Sequence, residues 1–221
     1  MTVDLDTNIE AGRPFLEAAS PTHPSLTDPS LSLVDMFGIT NVPYGVWVDE
    51  SGTIVRPAEI SSPPRDTPRD GGDPEAAARQ ARMLEHASEA QRRVMRGMMK
   101  GGSRDPHRYA NALRDWVAKG ADSEFALSRE EVVERSRPRP EGAARAAAEF
   151  ELGQHLHRAG HKLDAVPHFQ AAHELDPENW SYSRQAYALV DESMGKPYDT
   201  DLLTEIDRIG LKTFYPAEDR L

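Results

Sequence analysis

The 221 residues carry 26 Lys plus Arg against 37 Asp plus Glu, a net charge of −11, with 38% apolar residues and no cysteine, which allows one ordinary domain or two small ones around a modest core. The acidity has no Lys/Arg-rich run to interrupt it, so nucleic acid and anionic membrane are excluded as expected partners. Without a sulfhydryl the chain has no disulfide exchange, thiolate catalysis or Cys-ligated zinc, and without a long apolar run or a signal-like N-terminus in MTVDLDTNIEAG it reads as cytoplasmic.

In chain order, the first sixty residues alternate strand and helix. Val3 and Leu5 alternate in a strand over Thr2 to Asp6, a helix runs from about Ile9 to Ala19, and a second runs from about Leu31 to Phe37. Two β-rich runs, Gly45-Val-Trp-Val and Thr53-Ile-Val-Arg56, are joined by Asp49-Glu-Ser-Gly52, a hairpin with glycine where a positive φ is wanted. Residues 61–74 (SSPPRDTPRDGGDP) are rich in Pro, Gly and charge and read as a linker. Beyond it Pro74 opens a helix predicted to continue to about Lys100, where Gly101-Gly102 stops it. Asp105-Pro106 opens the next, with Tyr109, Leu113, Trp116 and Val117 at helical spacing until Gly120. Ser128-Arg-Glu-Glu131 has the spacing of a capping box before a short helix. A second breaker, Arg135 to Gly142, precedes a helical C-terminal region. Charge follows these divisions: residues 1–60 hold 2 bases and 9 acids, 61–140 hold 16 and 13, and 141–221 hold 8 and 15. The expected organisation is therefore 1–60, a linker at 61–74, a helical segment at 75–140 and a helical module at 141–221.

The stretch Ala146 to Pro177, AAAEFELGQHLHRAGHKLDAVPHFQAAHELDP, resembles a tetratricopeptide repeat. Counting back from Pro177, Leu152, Gly153, Ala165, Phe169 and Ala172 occupy the positions that family fills with Leu, Gly, Ala, Phe and Ala. Gly153 and Ala165 would let two antiparallel helices approach closely, with Leu152, Leu156 and Phe169 filling the space between. Glu149 departs from the family by standing where an aromatic is common. Pro167 departs by falling in the second helix, which loses a hydrogen bond there unless the helix starts late with Asp164 as its cap. Trp180 to Asp191 would supply a further first helix, and Leu202 to Ile209 would cap the stack.

The N-terminal residues Phe37-Gly-Ile-Thr-Asn-Val-Pro43, followed by Gly45 to Gly52 and Ile54-Val-Arg56, resemble the later portion of a thioredoxin-like domain of the redoxin type, as in bacterial thiol-disulfide proteins of the TlpA and ResA kind. The resemblance implies an α/β fold in which Pro43 is the cis-proline before a strand. It also implies a strand and a Cys-x-x-Cys helix ahead of Thr2 that this chain lacks. The missing strand would lie between Thr2 to Asp6 and Gly45 to Asp49, so the sheet is expected to lack its middle and to invite self-association there. The fold class is accordingly a partial thioredoxin-like α/β part plus an all-α C-terminal region with a tetratricopeptide-like hairpin.

Candidate sites are few. Among the histidines near the C-terminal third only His157 and His161 have a helical ligand interval, and Gly160 between them is expected to end the helix, so no metal site is expected. Met83, Met95, Met98 and Met99, with Leu84 and Val94, form a Met-rich face that reads as core packing. Arg92, Arg93 and Arg96 beside it read as a solvated face. Carboxylates are scattered, and no nucleophile elbow, phosphate loop or dinucleotide fingerprint is present. The function expected is a non-catalytic interaction or scaffold protein, without cofactor, that binds a protein or peptide. Its binding residues would be Val42 and Pro43, by the resemblance, and Phe150, Gln154 and His157 on one face of the repeat's first helix. The alternative is the C-terminal part of a thiol-disulfide oxidoreductase or peroxide reductase whose Cys-bearing half precedes Met1.

Overall fold

Short strands and many helices make up the computed structural model, which describes residues 1–61, 74–100, 107–136, 139–190, 194, 197–198 and 200–214. Most of the expected linker, the Gly101-Gly102 stop and the Asp105-Pro106 helix start lie outside the described residues. Strands β1 (Thr2–Asp4) and β2 (Ser25–Thr27) flank helix α1 (Ile9–Ala19) and pair in parallel with Val3 opposite Leu26. Asn8 caps α1, its carboxamide oxygen accepting from the Glu10 amide. Helix α2 (Ser32–Phe37) is opened by Asp28, which accepts from the Leu33 amide and from the Ser30 and Ser32 hydroxyls. Burial pushes the Asp28 carboxyl up, but these hydrogen bonds outweigh it and hold its pKa below the ordinary value.

Strands β3 (Tyr44–Val48) and β4 (Ile54–Ile60) form an antiparallel hairpin with register shifts around Trp47. Its turn is built as the sequence predicts: Asp49 Oδ1 accepts from the Ser51 and Thr53 amides, and Gly52 takes a φ of 84°. The helix expected over Pro74 to Lys100 is two, α3 (Pro74–His86) and α4 (Glu89–Lys100). The break has a local cause. Ser88 and Gln91 exchange bonds, Ser88 N–H to Gln91 Oε1 at 2.8 Å and Gln91 N–H to Ser88 Oγ at 3.2 Å, which caps a new helix in mid-pattern.

Helices α5 (Arg108–Lys119), α6 (Arg129–Ser136), α7 (Ala143–Arg158), α8 (Lys162–Leu175), α9 (Trp180–Leu189), α10 (Leu202–Ile209) and α11 (Leu211–Phe214) complete the chain. The Ser128 box forms as expected, with Ser128 N–H bonding Glu131 Oε2 at 2.8 Å and Glu131 N–H bonding Ser128 Oγ at 3.2 Å. α8 does not start late at Asp164; it begins at Lys162, so Pro167 is interior to it and the helix lacks one amide donor there. Among the described residues no helix is long and apolar enough to cross a membrane.

Two compact units result, residues 1–42 with 137–201 and residues 43–136 with 202–221. They do not coincide with the four segments expected from sequence. β1–β2 and β3–β4 are separate two-stranded sheets, and the division between units falls between Val42 and Pro43. In the first unit Phe150 stacks on Tyr182 with ring centroids 4.4 Å apart and lies 5.6 Å from Phe169. Ala146, Ala165, Ala172 and Ala186 are buried around them. Glu149 meets His168 and Gly153 meets Ala165 across α7 and α8, partner numbers that rise in one helix as they fall in the other, so the two run antiparallel. A Cβ on Gly153 would stand 2.7 Å from Phe169 Cε1, so the approach requires glycine. Leu152, expected between the helices, is instead 43% exposed, because Gly153 and Phe150 occupy the facing side of α7.

In the second unit Trp47 is the centre. It stacks on Trp116 at 5.1 Å, donates Nε1–H to the Tyr109 hydroxyl at 3.0 Å and lies under the Arg56 guanidinium. Arg56 forks onto Glu59 at 2.7 and 3.0 Å with both side chains buried. α10, expected to cap the C-terminal stack, packs instead on α4 in this unit, where Arg93 reaches Asp207 at 2.7 Å and Ile206 is buried. The apolar stripe on α10 finds the Met-bearing helix because Val94 and Ala87 provide a complementary buried seam.

Candidate functional site

α7 carries Gln154 and His157 three residues apart, hence on neighbouring positions of one face. The structure brings both to a cleft of about 330 Å³ in the first unit, lined also by Thr7, Asn8, Arg158 and Leu189. Thr7 and Asn8 form the turn between β1 and α1, so this wall stands where a parallel strand ends and a helix begins. Leu189, the last residue of α9, is the apolar side.

Polar satisfaction in the cleft is incomplete. Gln154 is 1% exposed; its Nε2 donates to the Pro29 carbonyl at a long 3.4 Å, and its Oε1 is buried without a hydrogen-bond partner among the described residues. His157 Nε2 is buried and unpartnered in the same sense. Thr7 donates its hydroxyl to Gln185 Oε1 at 3.1 Å, which leaves the Thr7 oxygen as an acceptor. Arg158 is exposed and has no ion pair among the described residues. The cleft thus offers a cation, an unfilled acceptor and an imidazole nitrogen beside one apolar side chain, and no group placed as a nucleophile with its base.

The remaining predicted residues stand elsewhere. Phe150 is 1% exposed and belongs to the core, so it lines no groove; the 3.6-residue period that placed it beside Gln154 does not separate the groove side of a helix from its packed side. The Val42 amide donates to Asn41 Oδ1 at 2.9 Å, and the Pro43 carbonyl accepts from the Ser61 amide at 3.1 Å. Those backbone groups are therefore already engaged. Thr7, Asn8, Arg158 and Leu189 were not singled out from sequence. Asn8 was legible as a helix cap after a strand, a junction where α/β proteins often place ligands, but nothing local tied it to α7.

His168 bonds Glu149 at 2.8 Å and His173 bonds Ser183 at 3.1 Å, so each is used in helix packing. The His168 bond comes first among the causes that hold the Glu149 carboxyl below its ordinary pKa. Among the described residues no three His, Asp or Glu side chains are grouped as a metal site needs. On the Met-rich face Val94 is buried, Met83 is 53% exposed and the Met99 side chain lies outside the described residues. A second cleft of about 380 Å³ lies at the α3–α4 break, with Arg82, Met83, His86 and Leu203 in its lining. No family model, curated protein or solved structure matches this chain.

Proposed function

We propose that the chain is a non-catalytic interaction or scaffold protein for a protein or peptide partner, combining a Cys-less, partial thioredoxin-like segment with a tetratricopeptide-like hairpin. The observation that carries the reading is the pair of buried, unpartnered atoms on α7, Gln154 Oε1 and His157 Nε2, at a cleft. Leaving a buried polar group unsatisfied costs about 1–3 kcal/mol. A partner that supplies the missing hydrogen bonds recovers that cost on binding, whereas a purely structural position would favour apolar side chains. The antiparallel α7–α8 pair, held close by Gly153, supports the hairpin assignment. The exposed Leu26 on the β1–β2 pair, at 52%, supports a further contact surface on the α/β part, including self-association.

The test is affinity capture with the tagged full chain beside the Gln154→Ala/His157→Ala variant, both checked for an equivalent thermal melt. A partner retained by the parent chain, and at least tenfold depleted with the variant, is the expected result. Equal capture by both would remove the cleft, and with it this reading.

A further inference from the structure

The cleft's chemistry is more specific than a general binding surface. Two of its lining residues carry buried atoms without a hydrogen-bond partner among the described residues, Gln154 Oε1 and His157 Nε2. Arg158, also in the lining, has no ion pair among the described residues. The lining also includes the Thr7-Asn8 turn, which leads into the eleven-residue α1. A helix start carries partial positive charge, and its nearest carboxylate in the first turn, Glu10, is already matched by Arg13 at 2.8 Å. Asp6 accepts from the Asn8 amide at 2.8 Å and does not line the cleft. At the α1 start the Asp6 carboxylate and the Asn8 oxygens already take the Asn8, Glu10 and Ala11 amides, so the cleft's net positive charge is that of Arg158, and its lining also holds a buried oxygen that lacks a donor.

From this we infer that the cleft takes a small oxyanion bearing a hydroxyl donor beside its charge, the chemistry shared by a hydroxycarboxylate and by hydrogen phosphate. The anionic oxygens meet Arg158. The adjacent O–H donates to Gln154 Oε1, and the oxygen of that hydroxyl accepts from His157 when Nε2 carries the proton. Leu189 covers the carbon side of an organic anion. A cleft of about 330 Å³ lies at the small end of ligand sites and suits such a molecule. A plain carboxylate satisfies the charge and leaves Gln154 Oε1 unfilled, so the site discriminates by the hydroxyl. This rests on reading the cleft as a binding site and adds the class of group it recognises.

The experiment is a titration of the full chain, isotopically labelled, with glycolate, acetate and inorganic phosphate in turn at constant ionic strength set by chloride. It follows the side-chain resonances of Gln154 and His157. Glycolate and phosphate should saturate both signals, and glycolate should bind about fivefold more tightly than acetate, the value of one net hydrogen bond. Arg158→Gln should weaken glycolate and acetate alike by about tenfold. Gln154→Met should abolish the preference for glycolate while sparing acetate; if that variant does not fold, the glycolate-to-acetate ratio of the parent chain decides by itself. Shifts that do not saturate, equal affinity for glycolate and acetate, or indifference to Arg158→Gln would each overturn the inference. Partner capture that still depends on Gln154 and His157, together with no anion response, would overturn this inference and leave the interaction reading intact. The two sources separate by rank: a hydroxycarboxylate ligand predicts glycolate tighter than phosphate, and a phosphorylated one predicts the reverse.

Discussion

A carboxylate set against a helix costs stability unless a donor or cation answers its charge, and Asp4 in β1 is in that position. Its Oδ2 is buried without a hydrogen-bond partner among the described residues, and a Cβ at Gly12 in α1 would collide with it. Asp4 therefore lies on the α1 side of the strand pair, while Val3 and Leu26 share the other side, Leu26 half exposed. Burial, and then the neighbouring Asp6 charge, raise the Asp4 pKa above 3.8. A raised carboxyl pKa means the folded chain takes up the proton before the unfolded chain does. The ionised form therefore lowers stability at neutral pH, and the loss is relieved as pH falls through the folded pKa. Asp4→Asn should raise stability at pH 7 by about 1 kcal/mol, about 2–4 °C in Tm for a chain of this size. The gain over the parent should shrink as both are melted nearer pH 4. An unchanged or lower Tm at pH 7 would show that the carboxylate has a partner when the chain is in solution.

At the scale of elements, what the sequence revealed was what local chemistry decides. The Ser128-x-x-Glu131 box, the Asp49 to Gly52 turn and the bounds of α1 and α10 depend on groups within four residues of one another, and all are found as read. The Ser88-x-x-Gln91 box depends on the same geometry and was passed over, because apolar spacing through Leu84, Ala87, Val94 and Met98 continues across it. A cap satisfies two amides that a continuous helix would bond to carbonyls, so capping residues can end a helix inside an unbroken apolar stripe. The Ser128 box gives a clean measurement, since both its side chains are exposed and packing does not confuse the result. Ser128→Ala should cost about 1 kcal/mol in chemical denaturation, and Ser128→Gly only a few tenths. Equal losses for the two would mean that the lost side-chain bond alone sets the value, with no contribution from glycine's easier backbone and better solvation at the cap.

The whole molecule was the least legible scale. Gln154 and His157 were readable as a pair on α7, but their cleft is completed by Thr7 and Asn8 some 150 positions earlier, and no local pattern encodes such a meeting. The same holds for the units themselves. Composition marks 61–74 as a boundary between an α/β part and a helical part, yet both compact units draw on chain from either side of it. In the first, Gln185 donates to the Leu5 carbonyl at 3.0 Å and Arg184 to Asn41 Oδ1 at 2.8 Å. In the second, Arg56 donates to the Phe125 carbonyl at 2.7 Å, and Trp47 stacks on Trp116.

A cut within 62–73 distinguishes the two views. If composition defined the domains, the pieces on either side would separate once the chain was severed. If contacts define them, each unit holds its two parts together without the covalent link, through the Trp47–Trp116 stack and the Arg56 bond to the Phe125 carbonyl in one, and through Leu31 and Val34 packed into the α7 to α9 core in the other. A specific protease site placed in that segment and cleaved under native conditions should therefore leave one particle that elutes as the intact 24.5 kDa chain does. Denaturant should then release two fragments. Adding Trp47→Ala should loosen only the second unit, because additivity holds for sites that share no partners, and the cut protein should still elute as one. Separation of the fragments before any denaturant is added would restore the linker boundary as the true division of the molecule.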